Sequence, residues 1–140
     1  MTRIDFHFNA PDKAGYACRL LRKIYRAGLR CQVVSDDAAA LERFDELLWT
    51  FSRRDFIPHV AAADPLAADT PIVLTTGSAD TDHLDVLVNL GSVTPPHFSR
   101  FERLIEIVTL DEQDRRAARE RWRQYRDRGH PMVRHDLAAR

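Results

Sequence analysis

The stretch Arg3–Val34, RIDFHFNAPDKAGYACRLLRKIYRAGLRCQVV, decides the fold class. From Arg3 to Phe8 apolar and polar residues alternate, with Ile4, Phe6 and Phe8 on one side, the period-two signature of a strand. Asn9-Ala10-Pro11-Asp12 then supplies turn chemistry and a helix N-cap candidate. From Lys13 to Ala27 the apolar positions Tyr16, Ala17, Leu20, Leu21, Ile24 and Tyr25 follow a helical stripe, and Arg19, Arg22, Lys23 and Arg26 fall outside it. Gly28 ends that helix, and Cys31–Val34 reads as a second short strand. Ser35-Asp36-Asp37 caps a second helix running to about Leu48. The order β-α-β-α is the opening of a parallel sheet with crossover helices.

The rest of the chain continues this plan. Phe51 to His59 reads as irregular, and the Ala-, Asp- and Pro-rich segment from Ala61 to Thr70 as a surface loop. Pro71 to Thr75 forms a third strand, entered through a proline. A polar turn from Gly77 to Asp82 leads into a fourth strand, His83 to Leu90. Pro95-Pro96-His97 opens a short helix carrying Phe98 and Phe101, and Leu104 to Val108 is a fifth strand. Asp111 caps a last helix that runs to about Arg128 and stops at Gly129. Residues beyond Gly129 show little pattern. The expectation is a single Rossmann-like α/β domain over residues 1–129, with a mostly parallel sheet of about five strands flanked by helices. Residues 130–140 are expected to form a flexible C-terminal tail.

Composition narrows the function. The chain has 140 residues, a common single-domain size, with 21 basic and 21 acidic side chains. Such a balance argues against coating duplex DNA or a membrane through bulk charge. Apolar runs of only a few residues exclude a membrane-spanning helix, and the N-terminus shows no cleavable apolar run. The expectation is a cytoplasmic protein. Cys18 and Cys31 match no C-x-x-C pair and read as small reduced apolar residues.

Phosphate signals are missing. There is no G-x-G-x-x-G or G-x-x-x-x-G-K-[ST], and Asn9–Lys13 contains no glycine, so no nucleotide cofactor is expected. The six histidines, His7, His59, His83, His97, His130 and His135, form no H-x-x-x-H or H-x-H pair; most of them read as surface or loop residues, with no metal. Ser35-Asp36-Asp37 and Asp80-Thr81-Asp82 are explained by capping and turns. No nucleophile has an identifiable base, so no catalytic residue is assigned and no enzyme activity is expected.

Two segments carry more. Trp49 at the end of the second helix and Phe56 in Phe56-Ile57-Pro58-His59 either complete the core or stand at a surface. In the last helix, Arg115 to Arg128 holds seven arginines against Glu120 and Asp127, a local charge of +5. Arg115, Arg119, Trp122 and Arg126 share one side of it, and Ala118, Trp122 and Tyr125 form an apolar strip beside them. This is either a solvated helix anchored by its strip, or an Arg-walled surface with an aromatic floor. The latter suits an acidic peptide, a carboxylate or single-stranded nucleic acid.

Taken together, these segments resemble the chi subunit of bacterial DNA polymerase III. The resemblance is carried by Phe44-Asp45-Glu46-Leu47-Leu48-Trp49, Phe56-Ile57-Pro58-His59, Pro71-Ile72-Val73-Leu74, Val86-Leu87-Val88-Asn89-Leu90, Phe98-Ser99-Arg100-Phe101, Glu106-Ile107-Val108 and the run Ala118 to Arg126 with Gly129. It implies a Rossmann-like domain without nucleotide or catalysis that acts as a replication adaptor. Such an adaptor grips the acidic C-terminal tail of the single-stranded-DNA-binding protein, which ends in aspartates, an apolar pair and a terminal phenylalanine. Elsewhere it binds the psi subunit or another clamp-loader or helicase partner, and it reaches DNA only indirectly. Carried over residue by residue, the tail-binding basic pair falls on Arg115 and Arg119, and the aromatic, usually tyrosine, on Trp122. Val108, Trp49 and Phe56 fall on the apolar side of the pocket. Rival expectations are direct single-stranded nucleic-acid binding through the Arg-rich helix, and a small enzyme with dispersed acid–base residues.

Overall fold

The computed structural model describes residues 1–52, 54, 56–77 and 79–138. Arg53, Asp55, Ser78, Ala139 and Arg140, which belong to the irregular segment, the polar turn and the tail named above, lie outside the described residues. The strands are β1 (Arg3–Ala10), β2 (Cys31–Val34), β3 (His59–Ala61), β4 (Ile72–Thr75), β5 (Val86–Asn89), β6 (Arg103–Thr109) and β7 (Met132–Asp136). They form one sheet in the order β3-β4-β2-β5-β6-β1-β7, with every pairing parallel. Helices α1 (Lys13–Arg26) and α2 (Ala38–Thr50) cover one face, and α3 (Glu112–Asp127) covers the other.

The helix boundaries follow local chemistry. Asp12, Asp37 and Asp111 each accept a hydrogen bond from a backbone N–H three residues on, capping α1, α2 and α3. Just past α1 and α3, Gly28 and Gly129 adopt φ of +75° and +79°, the left-handed turn that closes a helix at little steric cost.

Because helices lie on both faces, the alternation in β1 does not separate a wet side from a dry one. Ile4 and Phe6 pack under α3. Asp5 and His7 point to the opposite face and are buried too. The α1–α2 side of the core is built from Ala17, Leu21 and Ile24 against Val33, Ile72 and Ile105. Cys18 and Cys31 are free thiols buried there, and burial pushes both up from the ordinary thiol value, Cys18 to about 11.

Several expectations are corrected. The sheet has seven strands where the sequence reading has five. β3 is only three residues long, and β7 alternates partly covered residues at an edge, so neither carries an apolar run. Residues 132–136, read as patternless, pair with β1 from Ile4 to Phe8. β1 continues to Ala10 through an irregularity at Asn9, where φ is +64°, a conformation asparagine tolerates. The fourth strand is shorter than expected, Val86–Asn89. The short helix after Pro95 is a single 3₁₀ turn at Phe98–Arg100. Histidines read as surface or loop residues are buried at His7, His59 and His83, where backbone or side-chain partners satisfy at least one ring nitrogen.

Candidate functional site

The orientation of α3 is set by one buried carboxylate. Glu106, in the middle of β6, accepts hydrogen bonds from Tyr125 Oη at 2.6 Å, Arg121 Nε at 3.0 Å and Asn89 Nδ2 at 3.1 Å. Arg121 Nη1 also donates to the Ser92 carbonyl at 2.9 Å. Both charges are fully enclosed, so each is held by the other, Glu106 also by the neutral donors Tyr125 and Asn89 and Arg121 also by the Ser92 carbonyl acceptor. Burial and then the Glu106 charge drive the Tyr125 phenol far above its usual range, which keeps it a neutral donor. Arg121 therefore belongs to the core and not to the Arg-rich surface.

The first turn of α3 is tied down separately. Asp114 accepts from Lys13 Nζ on α1 at 2.8 Å and from the Thr109 N–H and hydroxyl at 2.8 and 2.9 Å. Burial alone would raise this carboxyl, but those donors outweigh it and hold it below the ordinary carboxylate value.

With Ala118, Arg121 and Tyr125 turned inward, Arg115, Arg119 and Trp122 face the sheet edge formed by β1 and β7. An open cleft of about 430 Å³ lies there. Phe6, Val108 and Ala118 form its buried floor, and Phe8 and Trp122 add partly covered rings. Trp122 meets Phe6 edge-on, with centroids 5.1 Å apart. Opposite α3, the Arg134 guanidinium from β7 stands 4.9 Å from the Phe8 ring centroid and 5.9 Å from that of Trp122. Three arginines thus border an apolar floor. Arg119 reaches Glu112 at 3.4 Å, while Arg115 has no ion-pair partner among the described residues.

A second exposed aromatic feature lies at the other end of the sheet. Trp49, at the end of α2, is 48% exposed, and Phe56 is 65% exposed. Their ring centroids are 5.4 Å apart, and the Trp49 ring lies 4.2 Å from that of His59 on β3, tilted by 40°. Leu47 is exposed on the same helix. His59 is fixed from below by the Ile57 carbonyl at 2.7 Å and by Asp45 at 3.1 Å.

Comparison with known proteins decides the family. Residues 1–133 match the family model described as DNA polymerase III chi subunit, HolC. The chain belongs to this family. It is 34% identical to the DNA polymerase III subunit chi of Pseudomonas aeruginosa, covering 98% of both chains. Identity to the subunit chi of Haemophilus influenzae is 30%, over 81% of this chain and 79% of the relative. For the Escherichia coli subunit the figures are 24%, 80% and 77%.

Within this chi-family fold, four of the six residues expected at the site lie together: Val108, Arg115, Arg119 and Trp122. Trp49 and Phe56 do not line that cleft. They flank β3, the edge strand farthest from β7, so strand order separates them from the arginines. Phe8 and Arg134 enter the cleft instead. Phe8 is visible in the β1 alternation, but Arg134 has no local signal, because only the β1–β7 pairing brings it there.

Proposed function

We propose that this chi-family chain is a non-catalytic adaptor of DNA replication whose α3–β7 cleft holds the acidic C-terminal tail of the single-stranded-DNA-binding protein. The observation that carries the reading is the triad Arg115, Arg119 and Arg134 around a floor of Phe6, Val108 and Trp122. A peptide ending in a phenylalanine carboxylate presents both chemistries the cleft offers. Its ring packs on the apolar floor, its terminal carboxylate takes a paired guanidinium contact from Arg119, and its aspartates are attracted by Arg115 and Arg134. Glu112, which occupies Arg119 in the free protein, is displaced by that carboxylate.

The Trp49–Phe56 surface then serves a second partner, a psi-type clamp-loader subunit or a helicase. Exposed aromatic rings of this kind are the usual anchors of protein interfaces. Because the two surfaces lie at opposite sheet edges, both partners bind at once, which is what a linker between them requires. Among the described residues no helix is long and apolar enough to cross a membrane. DNA is reached through the partner, and the site of action is the cytoplasm.

The test is titration of a labelled acidic peptide ending in phenylalanine beside a single-stranded oligonucleotide of equal length. The peptide is expected to bind, and more weakly as salt rises, with little binding of the oligonucleotide. Tight oligonucleotide binding with no peptide binding would establish the nucleic-acid reading in its place.

A further inference from the structure

On the sheet face opposite the cleft, the β1–β7 pairing brings His135 beside Asp5 and His7 from the other end of the chain. His7 and His135 are register partners, and Asp5 lies two residues before His7 on the same face. One donor atom from each of Asp5, His7 and His135 lies within 4.8 Å of the other two. The His7 Nε2 and His135 Nε2 atoms are both buried and have no hydrogen-bond partner, and His7 as a whole is only 8% exposed. Two orphaned imidazole nitrogens in one place are costly unless something binds them.

We infer that Asp5, His7 and His135 form a binding site for a divalent transition metal of the zinc type. Imidazole nitrogen with one carboxylate is a donor set that zinc takes readily, and it leaves a fourth position for water. Zinc–nitrogen bonds of about 2.0–2.1 Å put tetrahedral donors about 3.4 Å apart, so the three groups need close by little more than an ångström. The surroundings orient the ligands. Tyr16 Oη on α1 is hydrogen-bonded to His7 Nδ1, and in the tautomer in which Nδ1–H donates to that oxygen the lone pair lies on Nε2. Asp5 Oδ2 is engaged by Arg103 and Arg3, whereas Oδ1 accepts only from Arg3 Nε at 2.9 Å and keeps a lone pair. Both arginines reach solvent, with side chains 50% and 36% exposed. A metal here would clamp the edge strand β7 to β1.

The test uses the full chain, purified without a polyhistidine tag and stripped with chelator, titrated with Zn²⁺ by calorimetry and with Co²⁺ by visible absorption. One equivalent is expected to bind, to raise the melting temperature and to give the intense cobalt bands of a tetrahedral site. His135→Gln alters a partly covered edge residue and leaves the core intact; it is expected to weaken binding by more than a hundredfold. Asp5→Asn is expected to weaken it by more than tenfold, and Tyr16→Phe by about ten- to a hundredfold, as loss of an orienting partner does. Failure of the unaltered chain to take up either metal, or uptake unchanged in His135→Gln, would overturn the site. Uptake unchanged in Asp5→Asn would overturn the three-ligand assignment.

Discussion

Tyr125 donates a 2.6 Å hydrogen bond to Glu106 across the interface between α3 and the sheet, and both side chains are fully buried. Removing the hydroxyl in Tyr125→Phe leaves Glu106 with Arg121 and Asn89. The expected loss of stability is about 1.5–3 kcal/mol, the range for a buried hydrogen bond to a charged group. Urea unfolding measures it. The cleft is formed by other residues, so tail-peptide affinity per folded molecule stays the same.

Arg119 and Arg115 differ in what they do at the rim. Arg119 lies over the cleft beside Trp122 with its side chain 54% exposed, so solvent weakens its contact with a carboxylate. Arg119→Ala should lower peptide affinity by about 1–2 kcal/mol, and Arg115→Ala, which removes a more loosely placed charge, by about 0–1 kcal/mol. Glu112→Gln removes the internal competitor for Arg119 and should tighten binding about two- to fivefold. Calorimetry on the three variants checks the order; equal affinity for Arg119→Ala and the unaltered chain would remove Arg119 from the site.

Trp49 offers a contrast with the core. A ring half in solvent supports the fold less than a core ring does, here through its contacts with His59 and Phe56. Trp49→Ala should therefore cost about 1 kcal/mol of stability, well below the roughly 3–5 kcal/mol of a core aromatic. Peptide binding should be untouched, and capture of the partner proposed for this surface lost. A thermal melt with two binding assays separates these effects, and a collapse in melting temperature would return Trp49 to the core.

Acid stability depends in part on Asp114. Its native pKa lies below the unfolded one, because the bonds from Lys13 and Thr109 outweigh burial. The unfolded chain therefore takes up the proton first. The stabilisation is complete above the unfolded value of about 4 and is lost as pH falls through the native value. Lys13→Met removes the strongest of the opposing causes, so its acid-unfolding midpoint should move to higher pH. Asp5 and Asp36 are lowered as well and titrate in both proteins, which makes the shift between the two curves the quantity to measure. Coincident acid-unfolding curves by circular dichroism would contradict the role of the Lys13–Asp114 pair.

The sequence by itself determined the α/β class, the three Asp-capped helices with Gly stops after the first and last, and the shared helix side of Arg115, Arg119 and Trp122. Each of these rests on chemistry between near neighbours: a side chain three residues from the N–H it caps, or arginines and a tryptophan one helical turn apart. The resemblance to the chi family depends on the same kind of ordered local motif. Tertiary structure alone decided the rest. β7 exists because it pairs with β1, from the other end of the chain, and that pairing sends Arg134 into the cleft and His135 to His7 on the opposite face. Strand order put Trp49 and Phe56 at the far edge, away from the arginines they were expected to join. Arg121 looks in sequence like its arginine neighbours, yet it is buried because Glu106 on another element lies beneath it. Periodicity reports which face of an element a residue occupies; it carries no information on which element will lie against that face.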